Sequence, residues 1–336
     1  AVKVPDGSVD PFRLCASNVF DAKIHGAKVL VYSEVIEFIK EQDTIKGVKV
    51  LDHHTGIVTD YYAPVTVNAG GIWGHHIAQM AGANISMFPA KGALLIFAHR
   101  VNNVVINRCR KPANADILVP GDTVCVIGTT STRVPYEECD HLKVTPDEVD
   151  LLLTEGAKLA PCLAETRVLR AYAGVRPLVS ADNDPSGRNI SRGIVCLDHE
   201  TRDGIKGFIS ITGGKLMTYR LMGEMAADAV CKKLGRDAKC VTADTPLPGS
   251  EPGGIEEISK KIWEVPTMVQ KASVGRFGTQ AANLDFDGDV KGSLVCECEE
   301  VSVSEVDSAI ENLEVNNLVD LRRRTRFGMG TCQGEL

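Results

Sequence analysis

A chain of 336 residues has length for two domains and a further small one, with ample chain to bury a hydrophobic core. Its 44% hydrophobic, 24% charged and 5% aromatic residues exclude wholesale disorder and a collagen-like fibre. Lys and Arg number 37 against 44 Asp and Glu, a formal net charge of −7, so no global basic field exists for nucleic acid, and the longest apolar runs, such as 93–98, are far too short to cross a bilayer.

Of the 11 cysteines, those from Cys15 to Cys240 are scattered singly, unlike a secreted disulfide framework, which points to a reducing cytosol. There is no initiator Met, and the chain opens in strand-and-turn chemistry over residues 1–7, so it reads as an excised segment in which any targeting signal would be invisible.

In chain order, Asp10-Pro11 reads as an N-cap with Pro at the first helical position, predicting a helix over 11–25 stopped by Gly26. Short Val- and Ile-rich runs at 28–32, 34–40, 47–52 and 57–61 predict a meander, with Thr55-Gly56 as a turn. Residues 64–69 read as a buried strand, followed by Gly70-Gly71 and a helix over 74–81. Alternating apolar runs over 91–128 predict a second sheet, and Thr145-Pro-Asp-Glu148 starts a helix with acids in its first turn. Gly213-Gly214 precedes an amphipathic helix over 216–234. The Pro/Gly-rich stretch 245–254 reads as an inter-domain linker. Helical patterns follow at 255–264 and 266–273, and Ser302 with Glu305 has capping-box spacing for a helix over 303–313, paired with another over 317–326.

Three constellations could carry chemistry. In the first, Arg176, Arg192 and Lys215 accompany Gly213-Gly214, where a glycine turn before a helix lets main-chain N–H groups approach an anion or an electron-rich ring. Taken singly, each of these features is equally a surface cation or an ordinary turn. In the second, Asn68-Ala69-Gly70 ends a buried strand before Trp73, which suits close packing on a flat cofactor or simply a tight turn. In the third, Cys296-Glu-Cys298 and Cys332 present soft thiolates suited to Fe–S or Zn. No G-x-G-x-x-G dinucleotide fingerprint occurs.

Together, Asn68-Ala-Gly70, Gly174-Val-Arg-Pro-Leu178, Asp184-Pro-Ser-Gly-Arg-Asn189, Ile211 to Arg220, Val295 to Cys298 and Gly328 to Leu336 resemble the large subunits of the anaerobic, quinone-linked FAD-dependent glycerol-3-phosphate dehydrogenases. The resemblance implies an α/β (α+β) chain: part of a D-amino acid oxidase-like FAD fold with a substrate-domain β-sheet over 1–244, a linker and helical segment over 245–293, and a small helical [2Fe–2S] domain related to bacterioferritin-associated ferredoxin over 294–336. It places the pyrophosphate-binding part of the FAD site upstream of Ala1, and implies that the chain as given neither holds FAD tightly nor turns over substrate. Val35 would meet the adenine, while Asn68, Ala69, Gly70 and Trp73, with Gly213, Gly214, Leu216, Met217 and Thr218, would line the flavin.

Arg176, Arg192 and Lys215 would then face glycerol 3-phosphate, whose C2 hydrogen leaves as hydride while a base takes the hydroxyl proton. Related aerobic enzymes look like Gly-Ser-His where this chain has Gly92-Ala93-Leu94, so the base is not the imidazole expected at that position. Lys215, depressed by neighbouring arginines, is the preferred candidate and His99 a remoter one. His53-His54 and His75-His76 read as surface residues. The resemblance also expects a fourth cluster Cys just past Leu336, and electron transfer to quinone through partner subunits of a complex on the inner face of the cell membrane. Arg322 to Arg326 reads as a solvated helix end or a docking site for an acidic partner. Two other readings stay open, an FAD oxidoreductase for another small anion and a non-catalytic Fe–S or Zn interaction module.

Overall fold

A computed structural model describes residues 2–179, 193–288 and 290–334. Helix α1 (Pro11–Ile24) starts as predicted, with the Asp10 carboxylate accepting from the amides of Phe12 and Arg13. Strands β1 (Ser33–Glu41), β2 (Thr44–Asp52) and β3 (Val58–Tyr62) form a three-stranded antiparallel meander. The strand expected at 28–32 does not form: Tyr32 sits at φ 51°, outside the β region, and its hydroxyl is drawn to the Asp320 carboxylate at 2.7 Å.

Strand β4 (Thr66–Asn68) leads through a short 3₁₀ turn into α2 (Gly74–Met80). Strands β5 (Met87–Phe97), β6 (Ile106–Asn107), β7 (Ile117–Pro120), β8 (Cys125–Gly128) and β9 (Thr132–Arg133) follow, then helix α3 (Pro146–Leu159), whose Thr145/Glu148 capping box closes its first turn. Strand β10 (Val168–Val179) returns beside β5 to complete a six-stranded sheet in the order β10-β5-β8-β7-β6, with β9 on β5. Leu95, Phe97, Leu118, Ile127, Leu152 and Leu163 form a buried cluster between that sheet and α3. Their burial is the main stabilising term of this half, each fully buried large side chain contributing about 1.5–3 kcal/mol.

Strand β11 (Ile194–Asp198), helix α4 (His199–Asp203), strand β12 (Phe208–Gly213) and helix α5 (Tyr219–Lys233) come next. Here β12 pairs antiparallel with β11 and parallel with β4, a three-stranded sheet. Phe208 joins Phe38, Ile45, Ala78, Ile85 and Met87 in a second core that fastens the meander and α2 to this sheet. The predicted helix over 216–234 is a 3₁₀ turn at Leu216–Thr218 followed by α5, which buries none of its residues.

Helices α6 (Ile255–Ile262) and α7 (Met268–Phe277) pack together around Ile258, Val274 and Ala281. A small hairpin, β13 (Leu294–Cys296) with β14 (Val301–Ser302), carries helices α8 (Val303–Asn312) and α9 (Leu318–Thr325). This tail is fastened by buried charge. Arg276 of α7 donates through Nε and a terminal nitrogen to both oxygens of Glu305, each at 2.7 Å, and to the carbonyls of Glu299 and Glu300, also at 2.7 Å. Arg326, expected on a solvated or partner-docking face, turns inward instead, at 2.6 Å from Glu299 and 2.8 Å from Asp10. A positive φ of 71° at the end of α9 aims it there, where two carboxylates meet its charge.

Candidate functional site

Two adjacent parallel strands bring glycine-rich turns to one edge of their sheet. Asn68, the last residue of β4, is in register with Ser210 of β12, so both strands end at the same side. The crevice outside the carboxyl ends of parallel strands is where open α/β sheets bind ligands. Gly213 and Gly214 turn there with φ of 76° and 69°, left-handed values that an L side chain resists. A Cβ on Gly213 would lie 2.3 Å from the Gly193 carbonyl, and one on Gly214 2.6 Å from the Met222 sulfur.

Asn68 is 4% exposed and holds the other turn from within: its Nδ2 donates to the Gly74 carbonyl at 2.8 Å and to the Ser210 hydroxyl at 3.2 Å, while its Oδ1 accepts from the Gly70 amide at 3.1 Å. Behind it, His199 Nε2 lies 2.8 Å from Ser210 Oγ and His199 Nδ1 2.5 Å from Asp203. Sequence reasoning missed this chain, since single Ser, His and Asp residues carry no spacing signal until β12 and α4 juxtapose them. His199 and Ser210 are fully buried, so the chain braces the turn rather than meeting a ligand. Apolar side chains stand out at the same edge, Trp73 51% exposed, Leu216 52% and Met217 80%. Trp73 is steered by its indole N–H, which donates to Asp140 at 2.7 Å. Val35 lies apart on β1, half-buried opposite Val50, beside a bulge that skips Ile36.

Arg176 belongs to β10, opposite Ala90 of β5. Its guanidinium lies across Gly92, where any Cβ would come within 2.5 Å of a terminal nitrogen, and it donates to the Thr129 hydroxyl at 2.6 Å and to the Ala90 carbonyl at 3.4 Å. The neighbouring Lys91 is 8% exposed and ion-paired with Glu148 at 2.9 Å. Burial alone would raise that carboxyl, but the Thr145 amide and Lys91 hold it below the usual range. Strand β10 packs against both β12 and the turn that follows β4, so Arg176 shares one body with the glycine turns. Lys215 is exposed, at the head of the 3₁₀ turn, its amide donating to Thr218 Oγ1 at 2.9 Å. Arg192 lies outside the described residues.

His99 does not join this group: it is exposed beyond the end of β5 remote from Ala90. His75 is half-buried rather than on the surface, stacked on Tyr136 with ring centroids 4.8 Å apart and 2.7 Å from the Ile85 carbonyl.

The three tail cysteines converge. Cys296, Cys298 and Cys332 bring their sulfurs within 4.8 Å of one another, with Cys296 to Cys298 at 3.8 Å and Cys298 to Cys332 at 3.2 Å. The hairpin turn supplies the first two, and the segment after α9 returns the third. Burial, then the crowding of the other two sulfurs, pushes the Cys298 thiol up to about 12. Three sulfurs so placed could ligate one soft metal ion.

The family described as FAD dependent oxidoreductase matches residues 1–220. Over all 336 residues the chain is 60% identical to the A-subunit of the anaerobic glycerol-3-phosphate dehydrogenase of Haemophilus influenzae and to that of Escherichia coli strain K12, and spans 60% and 62% of their lengths. The crystal structure of glycerol-3-phosphate dehydrogenase from Bacillus halodurans, complexed with FAD, has the same fold: TM-score 0.74 at 23% identity, covering 94% of this chain and 64% of that one.

Proposed function

The chain belongs to the FAD-dependent oxidoreductase family, and from that premise we propose that it forms part of a dehydrogenase that oxidises sn-glycerol 3-phosphate to dihydroxyacetone phosphate. The observation that carries the reading is Arg176, fixed across Gly92 by Thr129 on a strand packed against β12 and the turn that follows β4. A planar cation held in this way suits the phosphate of the substrate.

The residues present fit the ring end of FAD. Asn68, Ala69, Gly70 and Trp73 would hold one side, and Gly213, Gly214, Leu216, Met217 and Thr218 the other, while Val35 would reach the adenine. Bound there, FAD supplies the hydride acceptor. Arg176, with Arg192, binds and orients the phosphate; Lys215 Nζ, at the head of the turn, takes the C2 hydroxyl proton. The braced turns fix where the ring can lie. The test is anaerobic mixing of the FAD-loaded full-length dehydrogenase with glycerol 3-phosphate, which should bleach the flavin's visible absorption, whereas 2-hydroxy acids and amino acids should not. Bleaching by one of those acids, and none by glycerol 3-phosphate, would replace the substrate.

We also propose that Cys296, Cys298 and Cys332 ligate a [2Fe–2S] cluster in a small domain over 294–336, with a fourth ligand from outside the described residues. Electrons would pass to quinone through partner subunits on the inner face of the cell membrane; no helix among the described residues is long and apolar enough to cross it. Reconstitution with iron and sulfide should give the EPR signal of a reduced cluster, lost in Cys298→Ala. Tight Zn²⁺ binding with no uptake of iron would make the centre structural.

A further inference from the structure

A cleft of about 470 Å³ lies away from both glycine turns, between α1, the stretch 248–250, α7 with the turn after it, and the α8–α9 pair. Its volume is that of a small-molecule site. Phe20, Phe277 and Leu313 give it an apolar lining, and Arg13 and Arg324 enter it with Gln280.

The two arginines differ from the others around them. Arg276, which also borders the cleft, is neutralised by Glu305, and Arg326 by Glu299 and Asp10. Arg13 donates to the Gly275 carbonyl at 2.8 Å and lies over the Phe277 ring at 5.9 Å; Arg324 donates through Nε to the Leu313 carbonyl at 3.2 Å. Among the described residues neither forms an ion pair. Burial, with Arg276 and Arg326 adding to it, brings the Arg13 guanidinium down to about 10, although Asp10 and Asp122 act the other way. A half-buried cation with its remaining donors uncommitted, beside aromatic and aliphatic walls, is unbalanced as it stands, and an anion would balance it.

We infer that this cleft binds an amphipathic monoanion, a carboxylate on an apolar body, with Arg13 and Arg324 taking the head and Phe20, Phe277 and Leu313 the body. Residues 248–250 of the linker form one wall, so the boundary between domains is also a binding seam.

Titration calorimetry on the full chain tests this with decanoate, 1-naphthoate, decan-1-ol and decyltrimethylammonium. Either carboxylate should bind at one site per chain; decanoate alone indicates an acyl ligand, 1-naphthoate alone a compact aromatic one. The alcohol and the cation should bind at least tenfold more weakly. Arg324→Gln and Arg13→Gln should each weaken the carboxylate at least tenfold in a protein that still folds. Each also frees a carbonyl, of Leu313 or of Gly275, so Ser17→Phe, which fills the cleft and leaves both charges, serves as the second variant and should abolish binding. Equal binding of carboxylate and alcohol, no binding of either carboxylate, or full carboxylate affinity in Arg324→Gln or in folded Ser17→Phe would overturn the assignment.

Discussion

Glu305→Gln is expected to destabilise the protein by about 3–5 kcal/mol although it changes neither size nor shape, because it leaves the Arg276 charge without its counterion in the interior. Glu305 is 0% exposed and Arg276 8%, and the pair is bidentate. The same carboxylate accepts the Ser302 amide at 2.9 Å and so closes the N-terminus of α8. Arg276 meanwhile donates to the carbonyls of Glu299 and Glu300, immediately after Cys298. Loss of the pair should therefore loosen the turn that presents Cys296 and Cys298 before it unfolds the six-stranded sheet. Denaturant unfolding followed by the fluorescence of Trp73 and Trp263 and by thiol reactivity reads both effects; a midpoint shift worth less than about 1 kcal/mol would show that the pair is dispensable.

Arg176→Ala should lower kcat/KM for glycerol 3-phosphate on the order of a hundredfold, since a charge-assisted contact to phosphate contributes about 2–3 kcal/mol. Thr129→Val removes only the hydroxyl that accepts from the guanidinium, so its effect should be smaller and confined to KM. Arg176→Lys should recover little, because a point charge cannot reproduce the planar fork across Gly92. Steady-state kinetics on an active preparation decides it. An unchanged kcat/KM in Arg176→Ala would remove that residue from the substrate site.

Local signals settled what local energies govern. The Asp10 cap, the Thr145/Glu148 and Ser302/Glu305 capping boxes and the Thr55-Gly56 turn placed helices and a hairpin to within a few residues, because caps and turns depend on neighbours three or four positions away. The C-x-C pair marked two of three thiols that the fold brings together, but the third, Cys332, comes from the segment after a helix pair. Sequence could not settle where single polar residues point. Tyr32 abandons the β region for a hydroxyl contact 288 positions away, Arg326 turns from solvent to Glu299 and Asp10, and the Asp203–His199–Ser210–Asn68 chain exists only once β4 lies parallel to β12. In each, the partner that satisfies a buried polar group is chosen by packing of the apolar elements, so its identity is a property of the tertiary structure and not of the residue.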